Sequence, residues 1–333
     1  MSKIRRLYFF DKKNTQEMIS FLNNSTYDTY ITRVMFNPFI FLHHLIPLRF
    51  KYLPESYILK DKKQIKGLIT VAPTRCPLKR MEIQKLFFEE NCYEYASELL
   101  QFAISKYKAM GTASFIVKID DYLPDLIKLF VSKCGFNQIS YEKLWRINHV
   151  EDRDFSGLRF RTFRNSDAPV TANLYQESLL PHFRPLLGLE IKEFKDVIFR
   201  GLSYINEYKY VLEDKKTKNI SAVISIKTSD NENYVMDVIN SHWEDIDINT
   251  LISFANQQIR KRKKRFGLFI RTKKYTQNSE NIERILLENG FECVQNQAVL
   301  TNSSAKIIKE NSQESKYTVL GQFYGGNMNV QGY

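Results

Sequence analysis

An internal duplication constrains the fold of this chain more than any other feature of its sequence. The segment YILKDKK at 57–63 recurs as YVLEDKK at 210–216, an offset of 210 − 57 = 153 residues. Later in the chain, KCGF at 133–136 recurs as ENGF at 288–291, an offset of 288 − 133 = 155. Because the matched segments keep their order and spacing, the 333 residues predict two copies of one unit of ordinary domain size.

The same order of elements is predicted in each copy. A strand and helical stretches are followed by a hairpin, a third strand, an amphipathic helix, another strand, a short helix and closing strands. The third strands and the long helices after them are predicted at 81–88, 93–107, 234–240 and 248–262. Gly135 and Gly290 end the short helices, where a left-handed cap is favoured. We therefore expect an α/β fold with a mixed α+β sheet, in tandem domains at 1–150 and 157–308, and a polar, glycine- and aromatic-containing tail at 309–333 outside both.

The charge balance favours an anionic partner. Lys and Arg number 49 against 37 Asp and Glu, which gives a net charge of +12. Nucleic acid, a phosphorylated cofactor or an acidic protein would suit this excess, and so would a solvated lysine-rich surface. The most concentrated basic element comprises Arg260, Lys261, Arg262, Lys263, Lys264 and Arg265. It predicts either contacts with nucleic-acid phosphates or cations that offset the dipole at a helix C-terminus.

The cysteines and apolar segments indicate a soluble, cytoplasmic protein. The four cysteines form no Cys-x-x-Cys pair, which is typical of reduced thiols. The most apolar segment, 36–50, is short and interrupted by polar residues, so no membrane span is expected. His43 and His44 lack further ligands at a matching spacing, and we expect no metal site.

The predicted order of elements, with a Gly-Phe pair after each short helix, resembles the GNAT family of acyl-CoA N-acyltransferases. The segment RTFRNSDAP at 161–169 also resembles the opening of such a domain. The resemblance extends over about 4–148 and 158–308. It implies two GNAT-like domains, an N-acyltransferase activity, acetyl-CoA or another acyl-CoA as donor, and a small-molecule or protein amine as acceptor.

The resemblance also implies where the donor and the catalytic groups would lie. In the family the donor occupies a V between the third strand and the next one, with its pyrophosphate at the N-terminus of the long helix. The matching donor positions are Phe87, Phe88, Asn91, Cys92, Tyr93, Val238, Ile239 and Asn240. A carboxylate base would be Glu89 or Glu90 in the first copy, with Asp237 as the counterpart in the second. The alternatives for these carboxylates are a solvated strand end and a charged pair near the helix N-cap that offsets the helix dipole.

Two parts of the family's pattern are replaced in both copies. The loops at 89–96 and 241–249 contain no glycine and carry acidic residues, namely Glu89, Glu90, Glu94, Glu244, Asp245 and Asp247. The family's usual tyrosine acid is replaced by Val131 and Leu286. Because like charges repel, we expect weak or absent acetyl-CoA binding at the first site and a similar burden at the second. Two alternatives to the enzyme stay open: a non-catalytic tandem GNAT-like binding or scaffold protein, and a transferase with another donor such as aminoacyl-tRNA.

Overall fold

A computed structural model describes most of the chain. The described residues are 3–8, 11, 54–62, 64–74, 79–89, 92–151, 153, 155, 158–196, 206–214, 219–228, 230–240, 247–303, 306–309 and 317–320. Glu90, predicted as a carboxylate base, and Asn91, predicted at the first donor site, are outside these residues. Among the described residues, no helix is long and apolar enough to cross a membrane.

The described elements of the two copies follow the predicted order, and the helical stretches predicted between the first two strands of the first copy lie outside the described residues. The first copy contains β1 (Lys3–Arg6), β2 (Glu55–Asp61), β3 (Gln64–Pro73), β4 (Arg80–Phe88), α1 (Tyr93–Ala109), β5 (Ser114–Asp120), α2 (Pro124–Cys134) and β6 (Asn137–Ile147). The second copy contains β7 (Arg159–Thr162), α3 (Ala168–Ser178), α4 (Arg184–Leu187), α5 (Ile191–Phe194), β8 (Asn206–Glu213), β9 (Ile220–Thr228), β10 (Asn233–Asn240), α6 (Ile248–Arg260), β11 (Gly267–Lys273), α7 (Ser279–Glu288) and β12 (Glu292–Ser303). Gly135 and Gly290 have φ angles of 66° and 70°, as the left-handed caps require.

One continuous sheet joins the two copies through an exchange of their closing strands. The sheet has 12 strands in the order β1-β2-β3-β4-β5-β12-β6-β11-β10-β9-β8-β7. Strand β12 of the second copy lies between β5 and β6, and β6 of the first copy lies between β12 and β11. The centre of the sheet is therefore built from both copies, and the sequence boundary near 150–157 does not separate two independent sheets.

Helices cover both faces of this sheet. On one face, α1 and α2 pack on the first copy, with Leu99 and Phe130 in a core that includes Phe88. On the same face α6 and α7 pack on the second copy, against Trp145 of the exchanged strand β6. Helices α3 to α5 lie on the opposite face and cover Val223, since neighbouring strand residues alternate between faces.

An ion pair at the start of each copy repeats the duplication at the level of contacts. Arg5 Nη2 lies 2.7 Å from Asp11 Oδ1, and the Tyr8 N–H donates to the same carboxylate. Likewise, Arg161 Nη1 lies 2.7 Å from Asp167 Oδ2, which accepts the Arg164 N–H. Each arginine of an opening strand thereby fixes the turn that follows it.

The tail contains strand structure that its polar composition did not predict. β13 (Lys306–Lys309) pairs antiparallel with β14 (Tyr317–Leu320) in a two-stranded sheet apart from the main one. The β-branched and aromatic residues of 317–320 favour a strand locally, in spite of the polar residues around it.

The strand exchange predicts that neither copy folds alone. In an isolated fragment 1–153, β6 loses both of its neighbours, and the Trp145 indole loses the hydrogen bond of 3.0 Å to Thr272 of the second copy. We expect this fragment to show no cooperative thermal transition by circular dichroism, and coexpression with 154–333 to restore one. Cooperative unfolding of 1–153 by itself would contradict the interdependence of the copies.

Candidate functional site

Two parallel strands part from each other in the middle of each copy. The pairing of β10 with β11 ends at Met236 and Ile270, although both strands continue beyond these residues. In the first copy the pairing of β4 with β5 ends at Ile83 and Val117, and again both strands continue. Each copy therefore has a V-shaped opening within the sheet.

A slot enters the V of the second copy between β10, β11 and the start of α7. Its lining includes Val238, Asn240, Ile270, Arg271, Lys273 and Ser279. Ile270 belongs to the core under α6 and α7, whereas Arg271 points to the face that α3 covers, because side chains alternate along β11. The slot therefore reaches from one face of the sheet towards the other.

The structure brings the predicted donor residues of the second copy to this slot in part. Val238 and Asn240 line it. Ile239 is directed to the opposite face and packs against the core around α3. Asp237 lies one residue before Val238 and shares the face of Ile239. The predicted positions on β10 therefore point to opposite faces of the sheet, with the lining residues on one face and the Asp237 carboxylate on the other.

Most of the predicted residues of the first copy are packed in its core or lie at the end of β4. Phe87 is buried and Phe88 is fully buried, with the Phe88 ring centroid 5.3 Å from that of Tyr93. Cys92 is the residue before α1, and its Sγ lies 3.9 Å from Glu89 Oε2. Glu89 is half-exposed and its Oε1 accepts from Lys66 Nζ at 2.8 Å. The solvated strand end anticipated as the alternative for this carboxylate fits that geometry.

The strand register corrects one predicted equivalence between the copies. In the first copy Thr70 of β3 pairs with Lys85 of β4, and in the second copy Ser225 of β9 pairs with Asp237 of β10. Thr70 and Ser225 are matched residues, because the strands IKGLITV at 65–71 and ISAVISI at 220–226 match with an offset of 220 − 65 = 155. The counterpart of Asp237 is therefore Lys85, and the prediction that Glu89 or Glu90 matched it is wrong. The prediction compared strand ends, and only the pairing with the hairpin defines the register.

Asp237 is held between two lysines. Its Oδ2 lies 3.1 Å from Lys227 Nζ, and its Oδ1 lies 3.2 Å from Lys273 Nζ. Burial by itself would raise the pKa of this carboxyl, but Lys273 and Lys227 outweigh that effect and hold the pKa well below 3.8. Asp237 is therefore ionised at neutral pH and is a weak base.

A second buried carboxylate, Glu142, comes from the first copy. Its Oε2 lies 2.8 Å from Lys118 Nζ and 3.7 Å from Arg271 Nε. The Tyr275 hydroxyl donates to its Oε1. We use the name ion cluster for Lys118, Glu142, Lys227, Asp237, Arg271 and Lys273. Because β6 is exchanged, this cluster contains residues of both copies.

Burial also shifts the pKa of Lys273 and that of Tyr275, whose hydroxyl contacts the cluster. It lowers the pKa of Lys273, and the carboxylates of Asp237 and Glu142 oppose this shift. It raises the pKa of Tyr275 well above 10, and the charge of Glu142 adds to that shift. A lysine with a lowered pKa releases its proton more readily than an exposed lysine, so Lys273 is the most capable proton donor that the slot contains.

The paired state of Glu142 predicts a loss of stability in acid. Burial would raise its pKa, but Lys118 and Arg271 lower it from 4.5 to about 2. Its contribution, on the order of 3 kcal/mol, is therefore complete at neutral pH and is lost as the pH falls from about 4.5 to 2. Urea titrations across this range should show a steeper decline for the wild type than for Glu142→Gln. Equal pH dependence of the two proteins would contradict the assignment.

The first copy carries a different set of charges at the matching positions. Lys85 stands at the place of Asp237, and Asp120 at that of Lys273, since 273 − 120 = 153. Burial lowers the pKa of Lys85 to about 7. Asp120 Oδ1 accepts from the amides of Gln295 and Gln297 at 2.6 and 3.0 Å. The signs are reversed between the copies, so the two openings are not chemically equivalent.

The N-termini of the two long helices also differ. At α6, Asp247 Oδ1 accepts the Asn249 N–H at 3.0 Å, and its Oδ2 accepts the Thr250 hydroxyl at 2.8 Å. Arg153 donates to the same carboxylate. At α1, Cys92 occupies the cap position and its side chain makes no capping hydrogen bond. A carboxylate thus occupies the anion-binding end of α6 in the copy that has the slot.

The remaining predicted features lie away from the V. Leu286 is fully buried in the core under α6 and α7, so it contributes packing only. The basic run 260–265 is exposed at the C-terminal end of α6, opposite the end that faces the V. There Arg262 stacks 4.2 Å over the ring of Tyr208. Within the described residues, no group of three or more His, Cys, Asp and Glu side chains is arranged to hold a metal ion.

Comparison with known proteins identifies the architecture. No family model and no curated protein sequence matches the chain. Among solved structures, a tandem GNAT protein from the clavulanic acid biosynthesis pathway is similar over 91% of this chain and 98% of its own, with a TM-score of 0.59 and 10% identity. The chain has a tandem GNAT-like fold. A GCN5-related N-acetyltransferase from Sphaerobacter thermophilus (TM-score 0.59, 9% identity, 91% and 95% covered) and a Drosophila protein (TM-score 0.53, 11% identity, 90% and 98% covered) are similar to it as well.

In the terms of the tandem GNAT-like fold, β10 and β11 are the strands of the V, and α6 is the long helix that lies between them in the chain. The predicted α/β class with its mixed sheet and its two units is confirmed. The sequence analysis did not identify Lys273, Arg271 or Glu142. A signal existed for the first two, because they lie two and four residues before Tyr275 in the segment 268–275, which matches 115–122 in the first copy.

Proposed function

We propose that the protein is a GNAT-type N-acyltransferase whose acyl donor occupies the slot of the second copy. One observation carries this proposal: the slot enters the V between β10 and β11 and ends beside the Asp237–Lys273 ion pair. The opening in the sheet, the slot and the Asp237–Lys273 ion pair therefore lie next to each other. The first copy would then support the fold and supply Lys118 and Glu142.

The residues of the slot fit the arm of acyl-CoA, which is the part that carries the thioester. The residues at the N-terminus of α6 fit the phosphates of acyl-CoA poorly. Val238, Ile270 and Ile282 offer apolar contacts, and Asn240 offers an amide at the mouth. In contrast, Asp247 already accepts the Asn249 amide at the start of α6 and places a negative charge there. We therefore expect an arm that binds well and a pyrophosphate that is repelled, which makes the overall affinity for acetyl-CoA modest.

The charges beside the slot suggest how protons would move. A bound acyl-CoA would supply a thioester. An acceptor that arrives as an ammonium would first release one proton to water, because only the neutral amine can attack, and its attack would then release a thiolate and leave a second proton to be removed from nitrogen. Lys273 would donate a proton towards the sulfur, since its pKa is lowered and it lines the slot. Asp237 would attract the acceptor ammonium and hold Lys273 in place. Its low pKa makes it a poor base, so we assign it positioning of charge and leave proton removal from the amine to Lys273 after its own donation or to water.

Turnover in the presence of mixed amine acceptors tests the proposal. The purified chain would be given acetyl-CoA with an equimolar mixture of amino acids, polyamines and short peptides, and free thiol and acetylated products would be followed. We expect products with the wild type and a loss of products with Asn240→Trp, which fills the mouth of the slot. Products that persist unchanged in Asn240→Trp would contradict a donor site in the second copy.

A second candidate, a non-catalytic tandem GNAT-like binding protein, is favoured by one specific observation. The cap formed by Asp247 and its contact with Arg153 fill the place where a phosphate would bind. In this alternative, the slot would be a remnant and the protein would act through its surfaces.

Removal of the charge at position 247 separates these two candidates. Asp247→Ser keeps a hydroxyl that can cap α6 but removes the negative charge. We expect acetyl-CoA to bind about tenfold more tightly to this variant, because one like-charge contact near a surface costs a few kcal/mol and is partly screened. Calorimetric titration measures the change, with Asp125→Ser in the first turn of α2 as a control. Equal affinity in wild type and variant would favour the non-catalytic protein.

A further inference from the structure

The ion cluster contains charges of both signs next to the slot. Four cations, Lys118, Lys227, Arg271 and Lys273, surround the carboxylates of Asp237 and Glu142. Glu207 joins them at the outer end, where its Oε1 lies 4.0 Å from Lys227 Nζ. The cations therefore exceed the carboxylates, in a region where most of these side chains are largely removed from water.

Arg271 stands out among these groups. Its side chain is 10% exposed, it lines the slot, and its Nε lies 3.7 Å from Glu142 Oε2. A guanidinium presents several N–H donors in one plane and matches the two oxygens of a carboxylate. Lys118 approaches the same Glu142 oxygen from β5, so two cations of different copies converge there.

The opposite charge is available close by. Asp237 lies on the same sheet face as Arg271. Lys273, which lines the slot, has its Nζ 3.2 Å from Asp237 Oδ1. An ammonium group would be attracted to Asp237, and a carboxylate to Arg271 and Lys118. The alternation of signs across the V is therefore complementary to a zwitterion.

We propose that the acceptor of this protein is an amine that also carries a carboxylate, with free amino acids as the simplest members, and that Arg271 and Lys118 bind that carboxylate. This inference rests on the proposed acyltransferase function and names its substrate class. It also explains why the exchanged strands matter, since Lys118 and Glu142 reach the site only because β12 and β6 lie between β5 and β11.

The test compares acceptors that differ only in the carboxylate. The full chain would be given acetyl-CoA with an equimolar mixture of amino acids or with the mixture of their C-terminal amides, and acetylated products would be quantified by mass spectrometry. We expect at least about tenfold higher kcat/KM for the acids, because a site built around a charge partner rejects analogues that lack it. Arg271→Gln should remove this preference by lowering only the rate with the acids. Arg265→Gln, an exposed change of the same charge, should keep it.

A second measurement needs no donor. Mixtures of N-acetyl amino acids should raise the Tm of the wild type, and mixtures of N-acetyl amino acid amides should not. Acetylation of amides at the rate of acids, or an unchanged preference in Arg271→Gln, would overturn the proposal. Absence of both acetylation and a Tm shift would overturn it as well. A Tm shift with the acids but no acetylation of either mixture would leave carboxylate recognition standing and would overturn the acyltransferase function instead.

Discussion

Replacement of Lys273 by methionine is expected to lower the rate of acyl transfer by about 100-fold, the usual contribution of one positioned proton donor. Lys273 lines the slot and pairs with Asp237, so its ammonium would lie beside the sulfur of a donor bound in the proposed site. Methionine keeps most of the volume of the side chain and removes the proton. The rate of thiol release from acetyl-CoA at saturating acceptor measures the effect.

An activated donor distinguishes proton donation from a structural role of Lys273. In a thioester of an aromatic thiol, the leaving group is a stable aromatic thiolate. Its departure needs little help from an acid. We expect Lys273→Met to regain most of the wild-type rate with such a donor. Lys227→Met is the matched comparison, because Lys227 also pairs with Asp237 and is absent from the slot lining described here. Its rate should fall less and should not depend on the leaving group. An equal loss with both donors in Lys273→Met would contradict the assignment.

The second large effect concerns stability. Asp237→Leu is expected to destabilise the fold by about 3–5 kcal/mol, because it leaves buried cations without their partner. Lys273 is the cation most affected, since its side chain is 18% exposed, whereas that of Lys227 is 29% exposed and closer to solvent. The double variant Asp237→Leu/Lys273→Met removes both members of the buried pair and should recover most of the loss. Urea unfolding of the four proteins gives the coupling energy.

Additive destabilisation in this cycle would contradict a coupled buried pair. It would mean that Asp237 and Lys273 are solvated independently, and the role of Asp237 in holding Lys273 would then be lost. Thr228→Val serves as a control, since Thr228 is also a buried polar residue at the end of β9 but lies outside the ion cluster. Its change in stability should be the same with and without Lys273→Met.

The amino-acid sequence was sufficient for the elements and for the duplication. Hydrophobic periodicity located α1 and α6 within two residues, and Gly135 and Gly290 marked the ends of α2 and α7 because a left-handed cap has a strong residue preference. The V between the third strand and the next one was anticipated only through the resemblance to the GNAT family, and its parallel pairing agrees with the succession of a strand, a helix and a strand.

The strand exchange and the ion cluster could not be predicted from the sequence. A closing strand such as β6 has the same pattern whether it pairs within its own copy or with β11, because alternation records which face is buried and not which neighbour is present. Glu142 and Asp237 are 95 positions apart, since 237 − 142 = 95, and they belong to different copies. Only the tertiary pairing of β6 with β11 brings Glu142 to Arg271.

The same limitation explains the error at the first V. Glu89 and Glu90 were compared with Asp237 because all three stand near the end of a predicted strand. The register shift between Thr70 and Val71 places Lys85 opposite Thr70 and so makes Lys85 the counterpart. A register depends on hairpin pairing and on bulges, and neither is encoded in the local pattern of one strand.

Calorimetric titration with acetyl-CoA tests the central claim most directly, with two tryptophan variants as probes of location. Asn240→Trp fills the slot, and Leu287→Trp places the same side chain at an exposed position of α7 that is 62% accessible. We predict binding of one acetyl-CoA per chain to the wild type and to Leu287→Trp, and loss of that binding in Asn240→Trp. Absence of binding to the folded wild type, or equal binding to all three proteins, would contradict a donor site between β10 and β11.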